Sequence, residues 1–299
     1  MFDMNRLQWK ADFIMVIVTI FWGSSYIFMK MGLDTLEEFN LIALRFGLAF
    51  IIAGIFFYRR MMKLNYQTMK YSFLLGSILF LLFASVTFGV KLTSASNAGF
   101  LVSLTVIFVP LLLALYLKKL PEKRILSGVV VAFIGIALLT LNSSLQINSG
   151  DILCILAAFF FAIHIILTGK VTKHVDSISL GVWQLGIAGG WGFIFSLFFE
   201  TPQLPSTTES WISILGLGVL CSAIGFVAQT SAQKYTTPTH TSLIFSLEPV
   251  FAALFAFLFA GEYLSTQGLV GAILVLLGVL IAEVNLKSFF TKKKYHSKH

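Results

Sequence analysis

Apolar runs of about 17 to 25 residues recur along the chain, separated by short gaps of charged residues and turn formers. A helix of that length, rising about 1.5 Å per residue, matches the roughly 30 Å hydrocarbon core of a bilayer. The pattern predicts ten such helices, at 12–31, 38–58, 70–90, 94–116, 124–141, 152–169, 178–198, 211–233, 238–260 and 267–285. The expected fold class is an all-α integral membrane protein, with the lipid bilayer as its surroundings.

The ten stretches repeat an internal pattern. Lys91, Thr93, Ser103, Leu104, Phe108, Gly128 and Gly135 fall, without a gap, 143 positions before Lys234, Thr236, Ser246, Leu247, Phe251, Gly271 and Gly278. The polar segment Asn142 to Asp151 divides the stretches five and five. Because five is odd, the second copy must enter the membrane with opposite polarity. The expected architecture is therefore two inverted five-helix repeats. Residues 1–141 form the first, 142–151 a linker, 152–286 the second, and 287–299 a basic cytoplasmic tail.

Composition narrows the class without changing this picture. A chain that is 58% hydrophobic and 11% charged is too apolar for a soluble protein. The net charge of +8 would suggest nucleic acid in a soluble domain. Here, however, every Lys and Arg except Lys30, Arg45 and Lys91 lies in the amino-terminal segment, the alternate gaps or the tail. That bias predicts a multi-pass protein of the cell (inner or plasma) membrane with both termini cytoplasmic, and no nucleic-acid partner. Cys154 and Cys221 both lie in apolar runs and supply neither a disulfide framework nor a metal motif. No nucleophile elbow, zinc motif or phosphate-binding loop is present, so the expectation is a protein that is not an enzyme and has no cofactor or metal.

Depth sorts the polar residues within the predicted helices. Glu248 lies roughly 15 Å in from an entry near Pro238, halfway across. Thr241, Phe245 and Glu248 share one helical stripe, which should face the protein interior, because a carboxylate against lipid is the costliest arrangement. Glu248 is then either ionised beside a cation such as Lys30 or Arg45, or held protonated. A group that switches between the two is a candidate proton carrier, and a carboxylate cross-linking bent helices is the structural alternative.

Trp22, Ser25 and Tyr26 fall near mid-depth in the first helix, with Trp22 and Tyr26 on one face. Both rings usually prefer membrane interfaces, so this depth points to a cavity lining or a packed interior. Lys30 sits near the end of the same helix, as an electrostatic partner or a snorkelling side chain. Arg45 lies roughly 10 Å below the surface, deep for a guanidinium. It either pairs with a carboxylate or anionic substrate group, or reaches helix-end carbonyls or lipid phosphate. Its counterpart by spacing, Gln184, is uncharged.

Ser103 matches Ser246 and is a cavity candidate, whereas Thr105 stands where the second copy has Glu248. Pro110 and Pro249 each remove a backbone donor and are expected to bend their helices. His164 reaches mid-depth beside Phe159, Phe160 and Phe161, as a packing residue or a second candidate proton carrier. Gly128 with Gly135, and Gly271 with Gly278, are seven apart and predict close helix packing.

These residues, in order, resemble the drug/metabolite transporter superfamily, in particular its ten-helix EamA family. The resemblance spans about 12–285. It is carried by WGSSYIFMK at 22–30, Arg45 in LIALRFGLAF, SLEPVFAALFAFLFAGE at 246–262 and GLVGAILVLLGVLIAE at 268–283. It implies an inverted repeat, a central cavity lined by both halves, and secondary transport of small solutes, often export of amino acids or metabolites. The first half departs from the family pattern, with Thr105 in place of an acidic residue and Lys118-Lys119 opposite Gly261-Glu262.

The expected function is secondary transport of a small molecule by alternating access, with export of an amino acid or related metabolite and protons as a candidate coupling ion. The cavity is expected to draw on Trp22, Ser25, Tyr26, Ser103, Phe245 and Glu248. The alternatives are an exporter of lipophilic cations, for which a carboxylate among aromatics is suited, and a non-transporting membrane subunit or sensor.

Overall fold

The structure is a computed structural model that describes residues 2–93, 95–119, 121–140, 149–260 and 266–283. Among these residues it is wholly helical: α1 (Phe2–Leu33), α2 (Glu38–Met61), α3 (Tyr66–Leu92), α4 (Ala95–Ser103), α5 (Thr105–Leu117), α6 (Lys123–Thr140) and α7 (Ser149–Val171). There follow α8 (Ser177–Phe199), α9 (Thr208–Leu215), a π-helical stretch over Gly216–Ile224, α10 (Gly225–Gln233), α11 (Pro238–Phe245), α12 (Glu248–Ala260) and α13 (Thr266–Glu283). The basic tail expected at 287–299, most of the 142–151 linker and Gly261-Glu262 lie outside the described residues.

The polar gaps start the helices they precede. Asn65 accepts from the Thr68 N–H at 2.7 Å, Asp176 from the Ser179 N–H at 2.9 Å, and Thr207 forms a reciprocal cap with Ser210. Thr237 accepts from the His240 N–H, and Pro238 occupies the first turn of α11, where its missing donor costs nothing.

Among the described residues, seven helical stretches are long and apolar enough to cross a membrane. They are Leu7–Leu33, Glu38–Met61, Tyr66–Leu92, Ala98–Leu117, Ser149–Val171, Ser177–Phe199 and Thr208–Gln233. Further apolar helix follows in α12 and α13. Large apolar side chains cover the outside, including Phe56 at 79% and Phe198 at 80% exposure. Such a surface is stable in lipid and unstable in water.

Two breaks interrupt apolar stretches. One separates α4 from α5 at Leu104, and the other separates α11 from α12 at Ser246-Leu247. Leu104 and Leu247 are counterparts in the gapless register of the two halves. Pro249 lies in the first turn of α12, directly after the second break, whereas Pro110 lies inside α5, six residues past the first.

The main pairings are α6 on α13, α2 on α8, and α3 on α7 and α8, with α1 packed along α9, the π-helical stretch, α10 and α12. The α6–α13 contact is reciprocal. A Cβ at Gly135 would lie 2.6 Å from the Gly271 carbonyl, and one at Gly278 would lie 2.7 Å from the Gly128 carbonyl. The α2–α8 pair is fastened at both ends. At one end the Glu200 carboxylate accepts from the Phe39 and Asn40 N–H groups at 2.8 and 2.7 Å. At the other, Arg60 pairs with Asp176 at 2.9 Å and the Ser179 hydroxyl donates to the Arg60 carbonyl.

Candidate functional site

Trp22 anchors the site to the second half of the chain. Its indole N–H donates to the Cys221 carbonyl at 2.8 Å, and the Cys221 thiol lies 3.2 Å from the Phe21 carbonyl. Around the indole stand Phe245, Phe226 and Phe161, with ring centroids 4.8, 4.9 and 5.6 Å away. Phe161 and Phe245 also stack on each other. The aromatic wall thus draws residues from α1, α7, α10 and α11.

Against this wall lies a cavity of about 30 Å³, lined by Trp22, Ser25, Tyr26, Arg45, Glu248 and apolar side chains of α3, among others. Glu248 is 6% exposed and Arg45 1% exposed. Tyr26 and Glu248 line this cavity side by side with Arg45, which lies within electrostatic reach of both. No ion pair joins Arg45 and Glu248. The Arg45 Nε–H instead donates to the Ser222 hydroxyl at 2.6 Å, and its guanidinium lies over the Phe83 ring at 4.2 Å. Its Nη1 is buried without an acceptor among the described residues.

Of the residues singled out in the sequence, Trp22, Ser25, Tyr26, Arg45 and Glu248 come together here. Phe245 stands behind Trp22 as part of the wall. Ser103 is buried but turns its hydroxyl back to the Gly99 carbonyl at 2.8 Å, outside the lining. Lys30 is exposed and lies outside the lining as well. Thr105, opposite Glu248 in the repeat, bonds to the Val102 and Ala158 carbonyls.

His164 belongs to a separate buried group. Its Nε2 meets the Gln184 side-chain oxygen at 3.0 Å, and the Gln184 amide donates to the Thr230 hydroxyl at 2.9 Å. This group is separated from Trp22 by Phe226, whose ring makes edge contact with the imidazole at 6.2 Å. Sequence reasoning missed Ser222 and the α3 lining residues Leu82, Phe83 and Val86. A small hydroxyl and three apolar side chains in apolar helices carry no depth or charge signal.

A buried guanidinium and a buried carboxyl held apart in one aromatic cavity can bind a polar or charged small molecule while excluding water. Fold and apolar surface together define a multi-pass helical membrane protein. The chain belongs to the EamA-like transporter family, whose sequence model matches residues 9–141 and 148–283, one match in each half.

The chain is 31% identical to an uncharacterized transporter of Archaeoglobus fulgidus, over 92% of this chain and 86% of that protein. It is 28% identical to a probable amino-acid metabolite efflux pump of Salmonella typhimurium, over 91% of this chain and 94% of that protein. A crystal structure of a protein only 14% identical superposes with a TM-score of 0.78, over 92% of this chain and 96% of that one, a likeness of fold.

Proposed function

We propose that the protein is a secondary transporter that exports an amino acid or related small metabolite across the cell membrane by alternating access. The observation that carries this reading is the small cavity lined by both Arg45 and Glu248. At about 30 Å³ it holds about two waters and no metabolite, so loading requires helices to move. The breaks at Leu104 and Ser246-Leu247 supply places for that movement. The name of the Salmonella relative supports an exported amino-acid metabolite.

Ten crossings as two inverted five-helix repeats, 1–141 and 152–286 about the 142–151 linker, fit this reading. Three observations support the arrangement: the paired family matches, the corresponding breaks and the reciprocal glycine contacts of α6 and α13. The basic residues of the alternate gaps and of the 287–299 tail support cytoplasmic termini.

Glu248 is the coupling residue in this scheme, taking a proton when the substrate leaves and releasing it when the substrate binds. His164, tied to Gln184 and away from the cavity, has the lesser claim to that role. The aromatic wall favours one other reading, an exporter of lipophilic cations, but Arg45 in the same cavity repels a cation.

The test is flux from liposomes loaded with labelled amino acids in separate batches, with and without a proton gradient, for the native protein and Glu248→Gln. Gradient-driven flux of one class, lost in a variant that still purifies as a folded species, is the expected result. Flux that ignores both gradient and substitution would leave a facilitator with a structural Glu248. No amino-acid flux, with flux of a lipophilic cation, would overturn the reading in favour of its rival.

A further inference from the structure

The geometry points to a two-pole site for a zwitterion: Arg45 takes the ligand's carboxylate, Glu248 takes its ammonium group, and the aromatic wall takes an apolar side chain. This inference rests on the transport reading above and assigns its substrate chemistry. The class is the α-amino acid with an apolar or weakly polar side chain, to the exclusion of its amide, its amine and its deaminated acid.

Three observations lead there. First, Arg45 is neither at lipid nor at a helix end, because it is 1% exposed and its Nε–H is committed to Ser222. One face of the guanidinium lies over Phe83, so the group is fixed in orientation by a hydrogen bond and a ring. Its terminal nitrogens are left for a ligand, and of these Nη1 is buried with no acceptor among the described residues. A buried charged donor without an acceptor is costly, and a guanidinium meets a carboxylate with two parallel bonds that a lysine cannot reproduce.

Second, the obvious internal acceptor is not used. Glu248 lines the same cavity and feels the charge of Arg45, yet the two side chains do not close into an ion pair. Tyr26 and Ser25 line the cavity beside them. A guanidinium and a carboxyl that line one cavity without pairing are complementary, once the carboxyl has released its proton, to a molecule with two opposite charges in reverse order. A plain cation would satisfy Glu248 and leave Arg45 unpaired; a plain anion would do the reverse.

Third, the rest of the lining is apolar. Trp22, Phe161 and Phe226 offer ring faces, and Ser25 adds one hydroxyl. A ligand side chain with its own charge would be buried there without a partner.

The test uses full-length protein purified in detergent and titrated calorimetrically with leucine, methionine, phenylalanine and threonine. Each is compared with its amide, which lacks the carboxylate, and with its deaminated acid. The native protein is expected to bind at least one amino acid at least tenfold more tightly than either analogue. This comparison needs no substitution and stands whether or not variants fold. Arg45→Gln is expected to erase the preference over the amide, and Arg45→Lys to restore it only in part.

Amides that bind as tightly as amino acids, or that are carried across liposomes equally well, would overturn the two-pole site while leaving an amino-compound exporter standing. Binding of tetraphenylphosphonium with no binding of any amino acid would remove the transport assignment and this inference together. An unchanged acid-to-amide ratio in a folded Arg45→Gln protein would show that the carboxylate is read elsewhere.

Discussion

The Trp22 indole N–H donates to the Cys221 carbonyl across 199 residues of sequence, and this bond joins α1 to the π-helical stretch that carries Ser222, the partner of Arg45. A π-helix leaves local carbonyls available to partners outside the helix, and such stretches are frequent at functional sites. Here the widened turn offers the Cys221 carbonyl to Trp22 and the Ser222 hydroxyl to Arg45. One irregularity therefore sets the position of both the aromatic wall and the positive pole.

Trp22→Phe is expected to keep the ring and orphan the Cys221 carbonyl. A buried acceptor without a donor costs about 1–3 kcal/mol. The protein should melt at a lower temperature in detergent, by an amount Trp22→Tyr does not restore, since a phenol donates from a different position. Gly225→Ala should lower it by the converse route, because the new Cβ would lie 2.7 Å from the indole nitrogen. A melting temperature unchanged in both variants would mean that the indole bond does not hold the site.

The α6–α13 contact predicts a strong size limit at two glycines. Gly278→Val would place its Cβ 2.6 Å from the Ala132 nitrogen, and Gly135→Val its Cβ 2.6 Å from the Val275 nitrogen. Backbone cannot give way as a side chain does, and overpacking of this kind costs about 1–3 kcal/mol or more. Both variants should lose yield and thermal stability, whereas Gly47→Ala, inside α2 with nothing near its added carbon, should lose neither and gain up to about 1 kcal/mol from alanine's better helix propensity.

Tyr26→Phe removes the one phenol hydroxyl that lines the cavity with Glu248 and leaves the ring. Loss of a hydrogen bond to a charged group is worth about 1.5–3 kcal/mol, or roughly tenfold or more in affinity. The variant is expected to fold, to weaken substrate binding by that factor, and to alter the pH dependence of flux. Wild-type affinity and an unaltered pH profile would detach Tyr26 from the negative pole.

Asp176 gives a pH prediction outside the membrane. Burial raises its carboxyl, but the Ser179 N–H and hydroxyl, with Arg60, outweigh that and hold it below its ordinary value of 3.8. A group depressed on folding contributes stability above its ordinary value and loses it as the pH falls through the lower, folded value. Arg60 and Asp176 are 56% and 42% exposed, so solvent screening keeps the ion pair itself below about 1 kcal/mol. Asp176→Asn, which retains a capping oxygen, should cost little at neutral pH and flatten the acid limb of the melting profile. Asp176→Ala should cost about 1 kcal/mol more through the lost cap.

The break in the first half shows where local rules stop. Pro110 has the residue type that bends helices, yet α5 runs through it and the helix divides earlier, at Leu104, whose type gives no warning. The corresponding break in the second half lies beside Pro249, where local chemistry and observed geometry agree. The repeat register, which pairs Leu104 with Leu247, therefore anticipates the first break better than its proline does.

Hydropathy alone marked the chain as helical and apolar and located its apolar stretches, and position within those stretches singled out Trp22, Tyr26, Arg45 and Glu248 as polar or amphipathic residues well inside them. These follow from the length of a helix needed to cross hydrocarbon and from the cost of a charge within it. Only the tertiary structure decided which of those residues meet. It left Lys30 exposed, turned Ser103 onto its own helix, bound His164 to Gln184, and brought Ser222 to Arg45 across 177 residues. The depth of a residue follows from its place along a helix. Its neighbours follow from the rotation of that helix about its axis, which packing against distant segments sets.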